Sequence, residues 1–268
     1  MNSPRTVVSL GANSPVVHRA NKPWTVKSAA QPRRQVHHVA LTRRYEVTYL
    51  DDDGQVQDFI RVAPALPIFE AAFSAFAHGA LINTAEGVVA VEDLVPGMEI
   101  VTARGDTATL RWVGAITMIP GAPTSNDTPQ RLYRVTADAL GLGRPAADVT
   151  FGPAARLLNR DPSIRNALGT EAALAPVAAQ EDGCAVIALN PVSPVRVYHL
   201  AFDNHQIITA NGVEVESYHP GPDAHYSMSQ ELREMFVGLF PHITSLQSFG
   251  HVIWPRFERH DDDEYQLV

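Results

Sequence analysis

The feature that most constrains this chain is the stretch from residue 197 to 217, VYHLAFDNHQIITANGVEVES. Apolar and polar residues alternate, break at Asp203-Asn204-His205, and alternate again past Asn211-Gly212. A period of two puts one set of side chains on each face of a strand. Asn-Gly between two such runs is a strong hairpin signal, because both residues accept positive φ. The stretch predicts two short strands with a tight link at 203–205, then a second turn at Asn211-Gly212. It ends in Val215-Glu216-Ser217.

The same rhythm extends upstream. Tyr45 to Leu50 and Val56 to Val62 alternate around Asp51-Asp52-Asp53-Gly54, which predicts a β-hairpin over 37–68. The three aspartates lack the spaced oxygens and closing Glu of a calcium loop, so they read as turn chemistry. Ile68 to Phe76 reads as a short helical or extended approach. Short strands are then expected at 81–83, 88–91, 99–103, 107–119, 132–136, 148–158 and 185–189, with a partly irregular Ala-rich stretch at 159–190. Turns at such spacing predict an all-β body. After His219-Pro220-Gly221-Pro222 the period becomes helical, with Ser227 or Ser229 as cap and Pro241 as stop. Phe249 to Phe257 looks like a segment that docks on the body.

Charge separates the ends. No acidic residue precedes Glu46, whereas Arg5, Arg19, Lys22, Lys27, Arg33 and Arg34 all lie upstream of residue 37. Residues 1–36, punctuated by Pro4, Pro15, Pro23 and Pro32, read as a basic flexible arm through which nucleic acid or another anion would bind. The far end carries Asp261-Asp262-Asp263-Glu264. The net charge of −8 argues against nucleic-acid binding by the body. No apolar run reaches membrane-span length and no secretory leader pattern is present, so a cytoplasmic address is expected. Cys184, the single cysteine, excludes an intrachain disulfide and is expected to be a small buried hydrophobe. His199, His205, His219 and His225 lack a recognised ligand spacing, so neither metal nor cofactor is expected.

Two blocks together resemble the Hint (hedgehog/intein) superfamily. Residues 75–102, AFAHGALINTAEGVVAVEDLVPGMEIVT, are similar to its opening block, with a Gly-containing turn and an EDL-x-PG turn before a valine-rich strand. Residues 197–217 are similar to its closing block, and Glu216 to Gly221 match a bacterial subfamily ending in Glu-Ser-aromatic-His-Pro-Gly. The resemblance implies a horseshoe-like Hint β-fold over 69–221, preceded by the hairpin and followed by a helical tail at 222–268.

Active members, the resemblance implies, transfer an acyl group within their own backbone. A Cys or Ser at the first residue attacks the preceding carbonyl, a Thr-x-x-His histidine protonates the departing nitrogen, and a closing His-Asn pair completes splicing. Residue by residue, the nucleophile falls on Ala75, the Thr-x-x-His motif on Gly152 and Ala155, and the closing pair on Glu216 and Ser217. None of these side chains can perform the expected step. The resulting reading is a catalytically degenerate Hint domain serving as a binding or structural scaffold for a protein partner. Two alternatives stand beside it. One is residual self-cleavage using Ser74, which lies one residue further from Gly79 than the family spacing, with His205 as base beside Asp203. The other is anion binding through the arm. His205 also reads as a turn cap, and His78 as a structural histidine near the old cleft.

Overall fold

The computed structural model describes residues 41–124, 130–224, 226–259 and 265–267, all within one compact unit, Ala40–Val268. The basic arm with Arg5, Arg19, Lys22, Lys27, Arg33 and Arg34, the acidic run Asp261–Glu264, and His225 lie outside the described residues.

Two antiparallel sheets make up the body. The first has eight strands in the order Val186–Leu189, Leu132–Val135, Val149–Phe151, Phe76–Ala77, Val195–Ala201, Trp112–Met118, Thr42–Leu50 and Val56–Pro64. The second runs Ala173–Pro176, Arg156–Asn159, Val213–Glu216, Ile207–Ala210, Leu81–Thr84, Glu99–Val101 and Thr107–Thr109, with Gly87–Ala90 paired to Leu81–Thr84. The expected hairpin forms in unbroken register from Thr42 opposite Pro64 to Leu50 opposite Val56, and its first strand pairs with Trp112–Met118. It therefore extends the first sheet. Asp51 Oδ1 accepts the Asp53 and Gln55 N–H groups in its turn.

The expected turn at Asn211-Gly212 is present, with φ of +49° and +83° joining Ile207–Ala210 to Val213–Glu216. The link at Asp203–His205 differs from expectation. Val195–Ala201 belongs to the first sheet and Ile207–Ala210 to the second, so the link carries the chain between sheets. Residues 148–158 also divide. Val149–Phe151 lies in the first sheet and Arg156–Asn159 in the second, because Pro153 has no N–H to extend a ladder. The Ala-rich stretch holds a helix, Pro162–Leu168, and a strand, Ala173–Pro176. Cys184 is exposed, contrary to expectation. Asp182 Oδ1 accepts N–H groups from Cys184, Ala185 and Val186, and that tight turn holds the thiol outside the sheet.

One core, including Phe76, Ile82, Ile100, Phe151, Leu157, Leu200, Ile208 and Val215, draws on strands of both sheets. A second core gathers Tyr45, Phe69, Phe73, Trp112, Tyr218, Phe236, Phe240 and Phe249. Here the five-residue helix Pro67–Ala71 and the tail helix Gln230–Val237 pack against the first sheet, each buried ring contributing about 1.5–3 kcal/mol. Ser229 caps the tail helix by accepting the Leu232 N–H at 3.3 Å. Trp112 Nε1 donates to the Leu239 carbonyl at 2.8 Å, and its ring stacks on Phe240. No helix among the described residues is long and apolar enough to cross a membrane.

Candidate functional site

Ala75 enters the short strand Phe76–Ala77, between Val149–Phe151 and Val195–Ala201. Phe76 is opposite Tyr198, yet the Ala75 N–H also donates to the Tyr198 carbonyl at 2.9 Å. Two residues against one is a β-bulge, a device that re-aims a strand at its end. On the other side the Ala75 carbonyl accepts the Gly152 N–H at 2.8 Å, and the Ser74 carbonyl accepts the Ala154 N–H at 3.0 Å. A Cβ placed on Gly152 would lie 2.1 Å from the Ser74 oxygen and 2.7 Å from its carbonyl carbon. The backbone has closed over the space where a side chain at 152 would stand. Ala155 is fully buried, its N–H bonded to the Gly152 carbonyl at 3.2 Å. Ala75, Gly152 and Ala155 are thus linked around one peptide bond.

The remaining candidates near that bond are turned to other partners. Ser74 is buried and its Oγ donates to the Glu70 carbonyl at 2.8 Å. His78 is exposed, with Nε2 3.3 Å from Glu92 Oε1. A cavity of about 270 Å³ opens beside Ser74, Ala154 and Arg156, with Glu70 and Gln130 on its wall.

A second, polar group lies where the closing block meets the tail. Glu216 ends the strand Val213–Glu216 and is buried. Its Oε1 accepts His205 Nε2 at 2.9 Å, Arg256 Nε at 2.9 Å and Arg256 Nη2 at 2.8 Å, while Arg156 Nη1 lies 3.8 Å from Oε2. Burial alone would raise this carboxyl's pKa, but Arg256, His205 and Arg156 outweigh it and hold the group at about 2. His205 Nδ1 accepts the Ile253 N–H at 3.1 Å, so the ring proton sits on Nε2 and points at Glu216. The carboxylate that orients His205 is therefore Glu216. Asp203, the partner expected from sequence, is largely exposed and pairs with Arg111 at 3.1 Å.

The same group ties down the tail. Arg256 Nη2 donates to the His219 carbonyl at 2.7 Å, and the Leu174 N–H donates to the Pro255 carbonyl at 2.8 Å. His219 Nδ1 accepts the Gly221 N–H at 3.0 Å, leaving Nε2 to donate to the Gly250 carbonyl at 3.2 Å. Burial lowers its pKa to about 4, keeping it neutral. Ser217 Oγ accepts the Gln206 N–H at 2.9 Å. Arg256 was invisible to motif reading, since it lies 40 residues beyond Glu216 and outside the resembling blocks.

His199 joins the two groups. Its ring packs edge-on to Phe76 at 6.0 Å and to Tyr218 at 5.2 Å, and it senses the charges of Glu216, Arg156 and Arg256. Burial drives its pKa to about 3, so it is neutral, with Nδ1 accepting the Leu200 N–H at 3.1 Å. Sequence reasoning considered this residue only as a metal ligand. The available signal was a histidine inside an otherwise apolar alternation. Among the described residues, no group of three His, Cys, Asp or Glu side chains is gathered to hold a metal.

Comparison with known proteins fits this arrangement. A family model described as the Hint domain matches residues 74–222, more than half of the chain. Among solved structures, a bacterial intein-like domain from Clostridium thermocellum is 13% identical, with 54% of this chain and 99% of that chain covered and a TM-score of 0.38. The MchDnaB-1 intein is 14% identical, with 54% of this chain and 100% of that chain covered and a TM-score of 0.33. A search of the curated proteins gives no match. The match begins at Ser74, beside the bulged peptide bond, and ends at Pro222, just past the buried histidine–glutamate pair: this chain belongs to the Hint domain family.

Proposed function

We propose that this Hint domain does not cut its own backbone and serves instead as a rigid scaffold that binds a protein partner. The observation that carries the proposal is the packing of the Ser74–Ala75 peptide bond. It meets a methyl group at 75, a bare backbone at 152 and another methyl at 155. Acyl transfer needs a nucleophile about 3 Å from the carbonyl and a base to manage its proton. Ser74 Oγ, which could attack only the preceding Phe73 carbonyl, is committed to the Glu70 carbonyl. His205, the candidate base, has both ring nitrogens engaged, by Glu216 and by the Ile253 N–H.

One element of a reactive site does remain. The Ala154 N–H points at the Ser74 carbonyl oxygen, as an oxyanion donor would. Alone it stabilises charge that no side chain here generates. The proposal is tested by incubating the full chain with hydroxylamine or dithiothreitol and taking its intact mass. An unchanged mass is expected. A specific fragment ending at Phe73, as attack by Ser74 would give, or at Ser74 would establish residual self-cleavage and overturn the proposal.

A further inference from the structure

The strand Val56–Pro64 forms one edge of the first sheet, and nine residues is unusually long for an open edge. The other ends of the two large sheets are strands of three or four residues: Val186–Leu189, Ala173–Pro176 and Thr107–Thr109. Short edges offer little to pair with, and soluble proteins protect long ones with lysine, proline or a bulge. This edge carries no lysine and no bulge; its charges are Asp58 and Arg61, its proline, Pro64, is the last residue of the strand, and its register with Thr42–Leu50 is unbroken.

The backbone phase of the edge follows from the flanking hydrogen bonds. The Ala65 N–H donates to the Leu41 carbonyl and the Asp51 N–H to the Gln55 carbonyl, so odd-numbered residues bond across the hairpin. Val56, Asp58, Ile60 and Val62 therefore direct their N–H and C=O groups to the open side. Their side chains share one face, where Val56, Ile60 and Val62 are 46%, 52% and 67% exposed. The edge thus combines backbone groups with no strand partner among the described residues and an apolar stripe.

We propose that this edge pairs, antiparallel and about a two-fold axis at Ile60, with the same edge of a second copy of the chain. Charge selects both the occupant and the register. With Ile60 opposite its own copy, Asp58 meets the partner's Val62, and the strand beyond carries the partner's Arg44, which is paired to that Val62. Two strand spacings, about 10 Å, are within reach of a long arginine side chain. Shifted one way, the register sets Asp58 opposite the partner's Ile60 and beside its Glu46, and one step further against the partner's Asp58; shifted the other way, it sets Asp58 opposite Pro64 with Thr42 beyond, and the Arg44 contact is lost. The chosen register gives about six backbone hydrogen bonds and an Ile60–Ile60 contact. An interface of one paired strand sits at the small end of specific assemblies, so its dimer is sought from low micromolar concentration upward. The site near Ala75 plays no part in it, and the two proposals stand or fall separately.

The test is sedimentation velocity on the full chain from low micromolar to submillimolar concentration. Wild type is expected to shift from one to two chain masses. Ile60→Lys sets two like charges on the axis and is expected to weaken dimerisation by about tenfold or more. Asp58→Arg should weaken it similarly, and adding Arg44→Asp should restore it. An unchanged urea midpoint, measured at a concentration where wild type is monomeric, confirms that each variant is folded. A wild-type chain that stays monomeric throughout overturns the proposal, whether its own N-terminal residues or nothing occupies the edge. An Ile60→Lys variant that dimerises like wild type overturns it too, by placing the contact elsewhere.

Discussion

The two halves of the site differ in how they are finished. Around the Ser74–Ala75 bond, positions 75, 152 and 155 carry methyl groups and a hydrogen, and the ordering comes from backbone bonds to Tyr198, Gly152 and Ala154 and from the Ser74 hydroxyl on Glu70. Around Glu216 the side chains are charged or titratable, and they engage one another and the tail backbone through His205, Arg256 and Arg156. On the reading proposed above, the first region has the shape without reactive atoms. The second kept polar atoms and uses them to hold the tail. A surviving histidine therefore says little about surviving chemistry until its partners are known.

The sharpest way to break this contrast is at Arg256. Removing one member of a buried ion pair strands the other, so Arg256→Met should cost about 3–5 kcal/mol, read as a lower urea midpoint. Adding Glu216→Gln should recover part of the loss. A change below about 1 kcal/mol for Arg256→Met would mean the tail is not held through this group. At the other region the sensitive position is Gly152, where a Cβ meets backbone rather than a flexible side chain. Gly152→Val should cost about 2–3 kcal/mol in the same assay.

Acid should separate the two regions as well. His199 and His219 are held at about 3 and about 4 against an ordinary 6.5, so the unfolded chain binds their protons first. Their contribution is complete above about pH 6.5 and is lost as pH falls toward 4 and then 3. Each then costs up to about 1.4 kcal/mol per pH unit. Glu216, held at about 2 against 4.5, adds stability above about pH 4.5 that is lost as pH falls toward 2. Stability measured against pH should thus decline in two stages. His219→Gln should flatten the upper stage, and an unaltered upper stage would remove His219 from this account.

Much of this was legible in the sequence, for local reasons. Asn211-Gly212, the aspartate-glycine turn at 51–54 and the cap at Ser229 each depend on residues a few positions apart. The two blocks of the Hint family frame the domain because its ends carry motifs. What was not legible is long-range. Pro153 marks a break in the strand, but neither it nor the link at 203–205 says that the chain passes to the other sheet. Pairing His205 with Asp203 followed closeness in sequence, whereas the fold supplied Glu216 from across a hairpin and Arg256 from the tail. Cys184 looked like a core residue because an apolar strand follows it, and the Asp182 turn puts it outside.

The smallest expected effect is the most specific. Ala75 is fully buried, so Ala75→Cys should change stability by less than about 1 kcal/mol. A thiol-labelling reagent should still find only the exposed Cys184 until the protein is unfolded. Rapid labelling at position 75 would show an open, activated site there.

The central claim is that the bond entering Ala75 has no group able to attack it, and intact mass spectrometry of the wild-type chain addresses that claim most directly. After prolonged incubation with hydroxylamine or dithiothreitol, the account predicts a single species at the full-length mass. A fragment ending at Ser74 with its complement beginning at Ala75, or one ending at Phe73 with its complement beginning at Ser74, would contradict it.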